Sequence, residues 1–73
     1  MSSCIVIVPL LQLREQPNLT SPVHQTVHAG TTLVFVQRVQ GATVHINNSN
    51  NANWGKSPDN FFFPLGGTNH PNG

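Results

Sequence analysis

Val23-His24-Gln25-Thr26-Val27-His28-Ala29-Gly30-Thr31-Thr32-Leu33-Val34-Phe35-Val36-Gln37-Arg38 is the stretch that decides the fold. Its first six residues alternate. Val23, Gln25 and Val27 take one face and His24, Thr26 and His28 the other, the period of two that marks a strand. Ala29-Gly30 interrupts the run as a turn. Thr31 to Arg38 then reads as the strongest strand in the chain, centred on Leu33, Val34, Phe35 and Val36, residue types that fit a pleated, half-buried surface.

Working outward, the same pattern recurs. Ile5 to Val8 is β-branched throughout, and Leu11-Gln12-Leu13-Arg14 alternates apolar with polar. Pro17 to Pro22 reads as a loop, because prolines fix φ and Asn18, Thr20 and Ser21 favour turns. Gln40-Gly41 reads as a tight turn, Ala42 to Ile46 as a short returning strand, and Asn47 to Asn53 as a polar surface loop. Trp54 to Ser57 is a further short strand, Pro58-Asp59-Asn60 a turn, and Phe61-Phe62-Phe63 the last apolar block. No stretch reads as a helix, since strong helix formers are sparse and six prolines and six glycines punctuate the chain. The prediction is an all-β domain over residues 1–65, a small closed barrel of five to six short strands, with a flexible tail over 66–73.

Composition narrows what such a domain can do. At 73 residues there is room for one small core. Charged residues make up 7% of the chain, against about 25% in typical domains. A net charge of +1 excludes nucleic-acid binding by a cluster of cations, which must displace counterions. The apolar run from Cys4 to Leu13 is interrupted by Pro9 and Gln12. It falls well short of the about 20 apolar residues that a membrane helix needs. The N-terminus carries no basic residue and no small-residue cleavage site, so no secretory signal is expected. A complete chain is then expected to stay in its cell, or to leave by lysis or assembly into a particle. Asn18-Leu19-Thr20 and Asn47-Asn48-Ser49 match the glycosylation pattern, which has no use without secretion. A single cysteine, Cys4, allows no internal disulfide and reads as a small buried hydrophobe.

Leu11-Gln12-Leu13-Arg14-Glu15-Gln16-Pro17-Asn18, followed by Pro22 to Val36, resembles the bacterial SH3 family. The shared pattern is an apolar-x-apolar-Arg segment, a proline-bearing loop, a short strand, a small turn at Ala29-Gly30-Thr31 and an alternating strand. Trp54-Gly55-Lys56 is similar to the family's late Gly-Trp-Val strand, and Phe61-Phe62 to its closing Tyr-Leu. The resemblance covers roughly Leu10 to Leu65. It implies an SH3-like barrel that recognises a protein ligand or a cell-wall peptide or glycan. The chain has no tyrosine, so an aromatic groove would be built from Trp54 and the phenylalanines.

The residues give little sign of catalysis. His24 and His28 share a strand face, ~13 Å apart at about 3.3 Å per residue, too far for one zinc. Cys4 has no neighbouring base, no serine lies in a Gly-x-Ser-x-Gly elbow, and Glu15 and Asp59 are the only carboxylates. Gly66-Gly67-Thr68 lacks the lysine of a phosphate loop. No metal site and no cofactor is expected. Trp54 with Phe61, Phe62 and Phe63 is the cluster of interest. Three consecutive phenylalanines cannot all face inward, so an exposed ring beside the tryptophan forms a contact patch. The expectation is a non-catalytic binding or assembly module. Trp54, Phe61 and Phe62 form its contact surface, and Asn18 and the Asn47 to Asn53 loop its polar rim. Its partners are a protein or cell-wall ligand or further copies of the chain, with no nucleic acid and no membrane. Two alternatives stand beside it. One is a structural subunit of a phage particle or surface filament. The other is an enzyme whose site forms only at an oligomer's symmetry axis, as in the type II dihydrofolate reductases, whose apolar-Gln-apolar motif Val44-His45-Ile46 loosely echoes.

Overall fold

A computed structural model describes residues 1–73 as an all-β chain with one short 3-10 turn. Seven strands form where five to six were expected: β1 (Ser2–Ile5), β2 (Leu10–Arg14), β3 (Val23–His28), β4 (Thr32–Phe35), β5 (Gln37–Ile46), β6 (Ser49–Lys56) and β7 (Phe62–Pro64). No closed barrel forms. A two-stranded sheet pairs β1 with β4, and a five-stranded antiparallel sheet runs β3-β2-β7-β6-β5. β3 and β5 end that sheet unpaired with each other. The loop after β2 spans the gap only at one point, where Ala42 N–H donates to Pro17 C=O at 2.9 Å.

Alternation builds the core. Leu11 and Leu13 of β2 turn inward with Val27 of β3, Cys4, Val6, Phe35, Phe63 and Leu65. Phe35 meets Phe63 edge to face, centroids 6.2 Å apart, the arrangement that ring quadrupoles favour. Ile5 and Ile7, alternating with the buried Cys4 and Val6, are exposed. The strand expected over Ile5 to Val8 is displaced: β1 runs from Ser2 to Ile5, Val6 makes only an isolated bridge with Thr68, and the apolar side chains turn in on one face only.

Four local expectations are corrected. The strand expected over Thr31 to Arg38 breaks at Val36 into β4 and β5. Gly41 makes no turn. β5 runs through it with an irregularity between Gln40 and Val44, because Gly41 is where the strand passes beneath Pro17 and over Trp54. The Asn47 to Asn53 loop shrinks to a two-residue turn at Asn47-Asn48, with φ of 53° and 63°, and Ser49 onward is strand β6. Asparagine tolerates that left-handed backbone, and primed turns of this kind match the twist of a hairpin. Finally, the segment expected as a flexible tail is docked. Leu65–Gly67 forms the 3-10 turn, Gly67 and Thr68 are buried, and Asn69 pairs with the outer edge of β1 through its main chain and its side chain. Asn51 and Asn53 both donate to Pro71 C=O, at 2.8 and 3.1 Å, and Arg38 to Asn72 C=O at 2.9 Å.

Candidate functional site

The largest cleft, about 320 Å³, opens between the start of β3, the outer edge of β4 and the turn at 57–61. The turn is braced. Asn60 N–H donates to Ser57 C=O at 3.0 Å, Ser57 N–H to Phe61 C=O at 2.7 Å, and Phe61 N–H to Ser57 Oγ at 3.1 Å. Pro58 presets its φ and Asn60 takes a φ of 67°. That bracing holds Asp59, the one carboxylate on the cleft wall, at an exposed tip.

Phe61 leaves the turn half-buried and stacks on His24, ring centroids 3.7 Å apart and planes within 3°. β3 shifts register against β2 beside Leu13 and Arg14, next to His24. Leu33 and Phe61 both pack against the core, so the cleft has an apolar floor anchored in the main hydrophobic cluster. No Lys or Arg lines it. The arrangement offers an apolar seat, a flat two-ring wall and one negative charge. Ser57 also lines the cleft, its Oγ taken up by the Phe61 N–H. No three His, Cys, Asp or Glu side chains gather anywhere in the chain as a metal-binding group.

The expected contact residues do not come together. Of Trp54, Phe61, Phe62 and Asn18, only Phe61 lines this cleft. Trp54 is fully buried. It sits on the sheet face away from the main core, and its indole N–H donates to Ala42 C=O at 2.8 Å. A smaller cleft of about 200 Å³ opens above it, between Leu10, Leu19 and Val44, but the indole itself presents no surface there. Phe62 is half-buried in register between Arg14 and Lys56. Asn18 is spent on its own loop, where its Oδ1 accepts from the main-chain N–H groups of Ser21 at 2.7 Å and Thr20 at 3.2 Å. The asparagines expected as a polar rim instead hold the C-terminal segment through Asn51 and Asn53.

Sequence reasoning missed His24, Leu33 and Asp59 as neighbours. Alternation alone puts His24 on an exposed face of β3, and only the tertiary fold brings Phe61 over it.

No family model, curated protein or solved structure matches the chain.

Proposed function

We propose that the chain is a non-catalytic binding module of the bacterial SH3-like kind, and that it holds a polypeptide ligand in the cleft beside β4. The ligand is a segment of another protein or the peptide part of a cell wall. Short antiparallel strands around a single core, together with the segment from Leu11 to Val36, support the SH3-like reading. One observation carries the binding reading. The His24–Phe61 stack borders the largest concavity, with its apolar floor continuous with the core. Concave, mostly preformed sites with a few convergent polar groups are where ligands bind.

The test is amide and side-chain NMR of the labelled chain, titrated with soluble cell-wall stem peptides and with a panel of synthetic linear peptides. The expected result is that shifts concentrate on His24, Leu33, Asp59 and Phe61 and that Phe61→Ala abolishes them. Shifts centred on Arg14, Lys56 and Phe62, or no response to any probe, overturn the reading.

A further inference from the structure

Strand β4 has one edge that nothing in the chain pairs. The direction of its main-chain groups is fixed by its neighbours. Val6 N–H donates to Thr31 C=O at 2.9 Å, so Thr31, and with it Leu33 and Phe35, turn their polar groups toward β1. Thr32, Val34 and Val36 therefore face the other way. Val36 N–H confirms the phase by donating to Lys56 C=O at 2.8 Å on that side. Beyond Lys56 the chain stops running beside β4. It turns away at Ser57-Pro58 and closes on itself through Ser57 and Phe61. The place that a longer β6 would occupy along Thr32 and Val34 is the cleft.

Two N–H and two C=O groups thus point into a cavity of about 320 Å³ at a two-residue spacing. That spacing, roughly 6.6–6.8 Å, is the repeat of an extended polypeptide. A sugar ring or a helix face does not present donors and acceptors at that period. Charge selects further. Asp59 stands on the cleft wall with no cation beside it among the lining residues. Leu33 and Phe61 offer an apolar seat. From these placements we infer that β4 takes up an extended peptide segment by strand addition, in the position β6 vacates. The segment pairs with Thr32 and Val34, sets a Lys or Arg against Asp59 and an apolar side chain between Leu33 and Phe61. Strand addition draws affinity from main-chain bonds and specificity from alternate side-chain pockets. The inference rests on the cleft being the binding site and names what the cleft reads.

The experiment uses the full chain, made by chemical synthesis with N-methylvaline at position 34. This removes an N–H that no native hydrogen bond uses. Near-ultraviolet circular dichroism and Trp54 emission check that the fold is unchanged. The probes are a capped hexapeptide of alternating valine and lysine, and the same peptide with glutamate for lysine. Expected results are slowed exchange of the Val34 amide in the lysine complex and an affinity loss of about tenfold or more on N-methylation. Asp59→Asn should erase the preference for lysine over glutamate. If the lysine peptide shifts His24 and Phe61 while N-methylation changes nothing, strand addition is wrong and the cleft reading survives. If no peptide perturbs the cleft, both fail. If the unliganded chain protects Val34 by pairing two copies through β4, a foreign peptide is the wrong occupant.

Discussion

Replacing Gly41 by alanine tests how the second face of the large sheet is sealed. A Cβ at this position would meet Pro17 C=O at less than any real contact distance. It would also lie 2.7 Å from Pro17 Cβ and 2.8 Å from Trp54 Cδ1. Neither partner can give way cheaply. Pro17 C=O is bonded to Ala42 N–H, and the indole is fully buried with its N–H fixed on Ala42 C=O. Overpacking of this kind costs about 1–3 kcal/mol. Losing the Pro17–Ala42 bond adds about 1 kcal/mol. Reduced freedom of the unfolded chain returns about 0.4–1 kcal/mol. The net loss is roughly 2 kcal/mol, which lowers Tm by roughly 8–16 °C in a domain of this size. Gly30→Ala is the control. Gly30 has open space around it but a φ of 90°, so its penalty of about 1 kcal/mol comes from the backbone alone and leaves Trp54 undisturbed. Urea and thermal unfolding followed by the single tryptophan reads both variants. A Gly41→Ala chain as stable as the parent, with unshifted Trp54 emission, would refute the roof of Pro17 over Trp54.

Other outcomes follow from single contacts. Trp54→Phe removes the donor to Ala42 C=O and should cost about 2 kcal/mol in urea unfolding, while leaving peptide binding at the β4 cleft intact. Asn48→Val places a β-branched residue at a φ of 63° and should destabilise by about 1–2 kcal/mol, whereas Asn48→Gly should be neutral or stabilising by thermal melts. Burial pushes the Cys4 thiol above its ordinary 9.0, and a side-chain hydrogen bond with Thr68 only partly opposes this. Because the folded chain holds that proton longer than the unfolded one, stability is unaffected below pH 9.0 and falls as pH rises through the raised folded value. Cys4→Ser should flatten that alkaline decline in denaturant titrations at stepped pH.

Strands with their own signal were legible in the sequence. Leu10–Arg14, Val23–His28 and Thr32–Phe35 alternate or carry β-branched and aromatic residues, and each forms a strand. Ser49–Asn53 carries the opposite signal. Asparagine is depleted in strands, and this segment is strand because β5 pairs with it at Ser49, Asn50, Asn51 and Asn53. Gly41 carries a turn signal, but its use is close approach, which only the position of Pro17 reveals. The candidate site was legible at one residue, Phe61. Alternation correctly split the three phenylalanines, since Phe63 is in the core while Phe62 points to the other face. It could not show that loop 15–22 would cover Trp54, because that cover depends on a bond between Pro17 and Ala42. Nor could it show His24 stacked on Phe61.

The placement of the few charges bears on why an open edge persists. Arg14 is spent on Ser21 C=O at 2.7 Å and Gln12 Oε1 at 2.8 Å, holding the loop after β2. Arg38 fixes the C-terminal segment. Neither lies on β4. Exposed edges are usually blunted by charged side chains, proline or a bulge, because unpaired N–H and C=O groups recruit other strands. The outer half of β1 is covered by Asn69, and β5 is bridged at Ala42 by Pro17. β4 has neither device, and its sequence Thr32-Leu33-Val34-Phe35 contains no charge and no proline. Pro58 lines the cleft, in the turn that follows the end of β6 at Lys56. The end strand β3 also leaves an edge unpaired, but β4 differs in that the strand that would have covered it turns away, and an edge left bare by its own neighbour is better explained by use than by neglect. That use requires Pro58 to keep the vacated place open. Pro58→Ala should therefore weaken peptide binding through cleft collapse, with little change in the main core.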